Sequence, residues 1–342
     1  MEYVAIDLHK RRSQIRIVGA DGSVVLERKV DTTRPDLERV FGGHAALRIL
    51  IESSTESEWV AQHLEALGHE VIVADPNYAP MYGSRSRKVK TDKRDAAALA
   101  EACRTGIYRP AHRASAAARD LRRRMRVRSH LVRQRSQTIS VLRSLLRQEG
   151  VRVASGSAER ILTRLDQIAL PAALATTVWP LRAVITQLNL RLVEADTVLE
   201  ERAIADPITQ HLMTAPGVGP VVALTFQAVM DTPARFGGDA GRASAFLGLV
   251  PSEDSSAERQ HKGSITKAGP RELRSLLVQA SWVIWRGRSA AGAALRAWAH
   301  ALAARRGRRI AVVALARRLS RILYALWRDR EDFRVSTTAQ VA

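Results

Sequence analysis

The sequence predicts an α/β domain at the N-terminus followed by a longer, mainly helical remainder. Three observations carry this. Up to about residue 110, strand-like runs open the chain and then alternate with helix-like ones. Beyond it, two long stretches repeat apolar residues at intervals of three, four or seven. The last part holds Pro- and Gly-marked turns and then three helical stretches. Successive strands followed by alternation indicate a mixed sheet.

Residues 2–8 (EYVAIDL) and 14–18 (QIRIV) read as strands joined by a short turn, and Ala20-Asp21-Gly22 leads into a third, SVVLERKV. Asp7 falls inside the first of these. A helix is expected over 34–42, a buried strand ALRILIES ending at Glu52, a helix over 57–67, then the strand EVIVAD. Thr91-Asp92 starts an alanine-rich helix, DKRDAAALAEACR, with an acidic first turn. From about 111 the texture changes, for residues 104–152 hold fourteen arginines, no lysine, and only Asp120 and Glu149 as acids. There Leu121, Met125, Val132, Ile139, Leu142 and Leu146 make one apolar seam of a long helix. Pro180 is expected to open a second long helix, with Leu181, Ile185, Leu188, Leu192, Ala195 and Leu199 as its seam. Running opposite ways, the two form a coiled-coil arm or half of a dimer interface. From about 206 come PGVG at 216–219, FGG at 236–238, a polar stretch at 251–270, and helices near 271–285, 289–304 and 309–328. The expected division is 1–110, 111–205 and 206–342.

Composition narrows the function classes. The chain has 342 residues, 46% hydrophobic and 26% charged, which is globular rather than disordered. Its net charge of +20 calls for a polyanionic partner, most commonly nucleic acid. No apolar run approaches the ~20 residues of a membrane-spanning helix, and Asp7 and Lys10 stand where a secretory apolar stretch would begin. A single cysteine, Cys103, excludes an intramolecular disulfide and a cysteine-based zinc cluster. A prokaryotic cytoplasm fits. Only seven lysines occur, and five lie within 88–93 or 262–267. Retained against so many arginines, those clusters suggest sites that need a compact ammonium.

Four acids form the candidate catalytic group. Asp7 is placed among apolar strand residues, where an ionised carboxylate is costly. Glu52 ends a second buried strand. Asp92 and Asp95 are three apart at a helix start, on one face and near the positive end of the helix dipole. Taken singly, an acid ending a strand or capping a helix is ordinary. Should the two strands be neighbours and the helix cross their ends, four carboxylates converge. Such a set suits Mg²⁺ or Mn²⁺ rather than zinc, and two such ions serve phosphodiester chemistry.

These residues carry a family resemblance. Asp7 in a first strand, Glu52 ending a later one, and KTDKRDAAALA resemble the RuvC-like, RNase-H-fold domain of the DEDD transposases. TAPGVGPVVALTF, AFLGLVPSEDSS and GSITKAGPRELRSLLVQASW resemble the C-terminal domain of the insertion-sequence one-ten family, including its one-one-one-one branch. The resemblance spans essentially the whole chain. It implies a site-specific recombinase that mobilises its own insertion sequence, acts on donor and target DNA, and is guided by an element-encoded (bridge) RNA. It also implies that Asp7, Glu52, Asp92 and Asp95 bind the metal and that cleavage passes through a phosphoserine. The family's serine segment reads Ser255-Ser256-Ala257 here, which gives Ser256 as the nucleophile and Ser255 as the second choice. Ala257 replaces the usual glycine, and Pro270 stands where the family often has asparagine.

Several segments suit nucleic acid. LMTAPGVGPVVALTF has the look of a helix-hairpin-helix, with Gly217 and Gly219 letting backbone N–H groups approach a phosphate. Pro-Gly-x-Gly also occurs as a plain turn. Arg119, Arg122, Arg123 and Arg126 head the arginine helix, some of which merely solvates a helical face while the rest meets a phosphate backbone. Lys262 and Lys267 bracket Gly263-Ser264, as a clamp on the scissile phosphate or as an ordinary polar loop. Tryptophan and tyrosine are too scattered in sequence for a stacking platform. His9, His112, His261 and Cys103 show no ligand spacing and none is assigned a metal; His9, two residues past Asp7, shares its strand face and so is open to a supporting role beside it. Holding two duplexes implies a dimer or tetramer. Two rivals remain, a Holliday-junction-type nuclease without a covalent intermediate and a non-catalytic nucleic-acid scaffold.

Overall fold

A computed structural model describes residues 2–83, 91–253 and 262–335, with backbone alone at Lys262. The chain divides into two compact units, Met1–Arg113 and Ala114–Ala342.

The first unit is built on five strands: β1 (Tyr3–Asp7), β2 (Arg12–Val18), β3 (Val24–Asp31), β4 (Arg48–Glu52) and β5 (Glu70–Ala74). Their order is β3-β2-β1-β4-β5, with β1, β2 and β3 antiparallel and β4 and β5 parallel to β1. Parallel neighbours need crossovers, and α1 (Arg34–Phe41) and α2 (Ser57–Ala66) supply them. Both helices cover one face, where Val4, Ile6, Ile49 and Ile51 meet Leu37, Phe41, Val60 and Leu64. The opposite face carries Ala5, Leu50 and Ala74, packed against Leu99 and Cys103 of α3 (Asp92–Thr105). Cover on both sides explains why the central strands read as continuous apolar runs. Thr91 caps α3 by accepting the Arg94 N–H, so the acidic first turn follows directly from TDKRD.

The second unit is mainly helical. It opens with α4 (Ala116–Gln148), the short α5 (Ile161–Leu165) and α6 (Ala172–Ala205). Early α4 residues (Leu121, Met125) pack on late α6 residues (Leu199, Ala203), and late α4 residues (Ile139, Leu142) on early ones (Val178, Ile185). The pair is therefore antiparallel. Two details differ from the sequence reading. Helix α6 starts at Ala172, and Pro180 lies inside it. Buried Leu174 and Val178 before the proline, and Ile185 after it, hold both sides to the same core, which offsets the lost N–H bond. Arg135 occupies a buried seam position of α4, donating to Glu159 at 2.7 Å and Asn189 at 3.1 Å.

Next come α7 (Pro207–Met213), α8 (Pro220–Met230) and α9 (Ala240–Phe246), then the two-stranded β6 (Pro251–Glu253) and β7 (Lys262–Ile265). Helices α10 (Arg271–Arg286), α11 (Ala293–Arg306) and α12 (Arg308–Asp329) complete the unit. Two glycines let the LGLVP and ITKAG segments cross backbone to backbone. A Cβ on Gly248 would stand 2.2 Å from the Ala268 carbonyl oxygen, and one on Gly269 2.0 Å from that of Phe246. Both have positive φ, at +65° and +71°.

Candidate active site

Strand parity gathers the acids. Alternation puts Ala5 and Asp7 on the α3 side of β1, and Leu50 and Glu52 on the same side of β4. Ile6 pairs with Ile51, so Asp7 and Glu52 end adjacent parallel strands. The first turn of α3 brings Asp92 and Asp95 to that edge. Asp7 is the last residue of β1, not an interior one, yet only 8% of it is exposed, and Asp95 matches that figure. Burial pushes the Asp7 carboxyl above its usual range, and Asp95, Glu52 and Asp92 push the same way while His9 opposes. Each of the other three acids therefore lies within electrostatic reach of Asp7.

Their surroundings differ. Asp7 Oδ2 is buried and accepts no hydrogen bond from the described residues; His9 Nε2 lies 3.3 Å from it. Glu52 accepts a hydrogen bond from the Tyr82 hydroxyl. Asp92 accepts from Lys29 Nζ at 2.8 Å, which holds its carboxyl below the usual range. Among the described residues, Asp7, His9 and Asp92 each offer a possible ligand atom, all within 4.8 Å of one another. A buried carboxylate oxygen with no donor, crowded by three further acids, is an arrangement that a cation relieves. The oxygen-rich donor set fits a hard divalent ion.

Two of these neighbours, Lys29 and Tyr82, were not singled out from the sequence. Lys29 arrives by register: Asp7 pairs with Gln14, and Gln14 with Lys29, in one line across the sheet. Its signal was scarcity, because Lys10 and Lys29 are the two lysines outside the clusters. His9 was expected beside Asp7 in a supporting role and not as a ligand, yet its ring nitrogen lies within ligand distance of both Asp7 and Asp92. Tyr82 gave no signal.

The remaining expected site residues lie in the second unit. Ser255 and Ser256 are outside the described residues, between β6 and β7 in sequence. Lys262 belongs to β7, and Lys267 is exposed with φ +56°, its N–H donating to the Gly248 carbonyl at 3.2 Å. Gly217 packs on α10, where a Cβ would meet the Ala280 carbonyl at 2.7 Å. Gly219 caps α8 with open space around it. Arg122 donates to the Ala228 and Val229 carbonyls at the end of α8, at 2.7 and 3.1 Å, and Arg119 to the Ala114 carbonyl. Arg123 and Arg126 are exposed.

Comparison with known proteins fits both halves. A family model for DEDD transposases of IS110 matches residues 4–150, and one described as transposase IS116/IS110/IS902 family matches 209–296. The transposase for insertion sequence element IS1111A of Coxiella burnetii is 30% identical over 252 residues, 72% of this chain and 68% of the relative. The chain belongs to the IS110 family of transposases. A Pseudomonas aeruginosa protein named "probable family 20 transposase" is 28% identical, over 94% of this chain and 96% of its own. The transposase for insertion sequence element IS1328 of Yersinia enterocolitica is 25% identical over the same shares. This IS110-family transposase is thus a DNA-cleaving and strand-transferring enzyme, and DNA is its substrate. The DEDD type points to divalent-metal use. No described helix is long and apolar enough to cross a membrane.

Proposed function

We propose that the protein cuts and rejoins DNA at the ends of its own insertion sequence, with Asp7, Glu52, Asp92 and Asp95 as a cation-holding site and Ser256 as nucleophile. The observation that carries this is the buried, donor-less Asp7 oxygen among three further acids. The sheet order, three antiparallel strands with two parallel ones beyond β1, supports an RNase-H-like (RuvC-like) reading of the first unit. A bound Mg²⁺ or Mn²⁺ would offset charge on the scissile phosphate and acidify a nucleophile. Asp7 and Asp95 contribute buried oxygens, Tyr82 fixes the rotamer of Glu52, and Lys29 keeps Asp92 ionised.

In cleavage, Ser256 Oγ bonds to phosphorus as one bridging P–O bond breaks, and the serine proton ends on the departing DNA oxygen. A hydroxyl of the partner DNA strand then attacks the phosphoserine and frees the serine, so the number of phosphodiester bonds is conserved. Gly219 with the α8 N-terminus, Arg119, Arg123 and Arg126, and Lys262 and Lys267 are assigned to phosphate contacts, with Gly217 shaping the helix-hairpin-helix turn. None of these contacts reads a base sequence, which favours specificity supplied by an element-encoded guide RNA. The functional division follows 1–110 for catalysis, 111–205 as a coiled-coil arm and 206–342 for the serine. A dimer or tetramer works on two duplexes at the nucleoid of a prokaryotic cytoplasm.

The test is a reaction with donor DNA, the RNA of the native locus and Mg²⁺, resolved on denaturing gels. Protein-linked DNA is expected with the wild type and absent with Ser256→Ala. Cutting that survives Ser256→Ala without an adduct would instead favour a resolvase-like metal nuclease.

A further inference from the structure

From Leu273 to Arg328 the chain contains twelve arginines, no lysine, and no aspartate or glutamate. This stretch makes up nearly all of α10, α11 and α12. A helical layer of that composition repels itself unless an anion meets it. Its apolar residues are spent inward, with Leu277 and Ile284, Leu295 and Ala299, and Leu315 and Leu319 sharing one core.

Elsewhere on this layer aromatic rings and guanidiniums of α10, α11 and α12 meet. Trp282 and Trp285 meet edge to face at 6.2 Å, and Trp285 stacks on His300 at 4.1 Å. The guanidiniums of Arg286 and Arg308 lie over Trp282 at 5.1 and 5.6 Å, and that of Arg318 over Trp298 at 4.9 Å. Gln279, Trp282, Val283, Arg286 and Gly287 line a shallow recess of about 510 Å³. Val283 is apolar and yet 58% exposed. Among the described residues, no carboxylate pairs with Arg286, Arg288, Arg305, Arg306, Arg308 or Arg309. Packing gives no reason for a valine at 283, because α10 buries a different face.

We propose that this recess binds unpaired bases of a single-stranded nucleic acid, Trp282 and Val283 receiving a base and Arg286 and Arg308 the flanking phosphates. The proposal rests on the reading that the protein works on nucleic acid. An indole and a guanidinium both offer planar surfaces for stacking, and the guanidinium keeps N–H donors for phosphate. Every base has a π face, so the site takes any sequence. A duplex presents no free base face to it. Charge decides against a second copy of the chain, since symmetric pairing of this face sets arginines against arginines.

The test uses the full chain and fluorescence anisotropy with a short oligothymidylate, an abasic sugar-phosphate strand of equal length, and a hairpin duplex. The wild type is expected to prefer the oligothymidylate over the abasic strand. Trp282→Ala should weaken oligothymidylate binding by about tenfold or more, with abasic and duplex affinities unchanged. Trp282→Phe should retain most of it. Val283→Glu, at an exposed position that spares the core, should act in the same direction as Trp282→Ala. Arg286→Ala should weaken both single strands and flatten their salt dependence. Equal wild-type binding of the oligothymidylate and abasic strands would overturn the proposal. So would a Trp282→Ala or Val283→Glu variant that keeps full oligothymidylate affinity, or one whose sole change is a lower oligomeric state. Binding needs no cutting, so a failure of the cleavage chemistry would leave this result readable.

Discussion

Asp7 concentrates the conflict between folding and chemistry. Its carboxyl is buried, lacks a hydrogen-bond donor at Oδ2, and faces three further acids. Asp7→Asn removes the charge at nearly constant shape. In a chelator it is expected to raise the melting temperature of the first unit by roughly 2–4 °C, for a gain on the order of 1 kcal/mol. Adding Mg²⁺ or Mn²⁺ should stabilise the wild type and not the variant; differential scanning calorimetry reads both effects. Cys103 illustrates the opposite case. Burial pushes its thiol up to about 12, so native protein near neutral pH should resist alkylation until it unfolds, which mass spectrometry can follow. The acids were legible as a set, from a carboxylate among apolar strand residues, a second at a strand end and two in one capped helix turn, although Asp7 proves to end its strand. Their partners were less so: Lys29 depends on the register of two hairpin strands, and Tyr82 on a loop conformation, neither of which residue type encodes.

Among the elements, α4 divides its arginines between two tasks. Arg122, Arg128 and Arg135 are spent internally on the α8 carbonyls, Asp196, and Glu159 with Asn189. Arg123, Arg126 and Arg133 are exposed. Arg122→Ala should therefore cost stability by about 1–3 kcal/mol in denaturant melts, because the carbonyl of buried Ala228 loses the guanidinium as donor. Arg126→Ala should leave stability unchanged and weaken DNA binding with a shallower salt slope. Periodicity showed that α4 and α6 exist and which apolar residues face inward, but it could not tell a paired arginine from a free one. It also misjudged Pro180, because flanking core residues hold a helix that the local chain would break. The crossing of Gly248 and Gly269 gives a sharper case. Gly248→Ala puts a methyl against a backbone carbonyl at positive φ, and a loss of at least about 2 kcal/mol is expected in the same melts.

For the whole molecule, the net charge of +20 is distributed by unit and element rather than smeared. Four acids are gathered at one sheet edge of the first unit, while α10 to α12 carry none between Glu272 and Asp329. Composition alone indicated a polyanionic partner. It did not reveal that Trp285 of α10 stacks on His300 of α11 and that Arg308 of α12 lies over Trp282, because that depends on how three helices pack. The α/β start and helical continuation were legible from pattern, and the sheet order was not, since strand adjacency is a property of the crossovers. The most direct measurement is cleavage of donor DNA against divalent-ion concentration for the wild type, Asp7→Asn and Asp95→Asn. No cutting is expected without the ion, saturable cutting by the wild type, and a fall of about a hundredfold or more in each variant. Wild-type rates in Asp7→Asn, or cutting undiminished by a chelator, would contradict a cation site built on these acids.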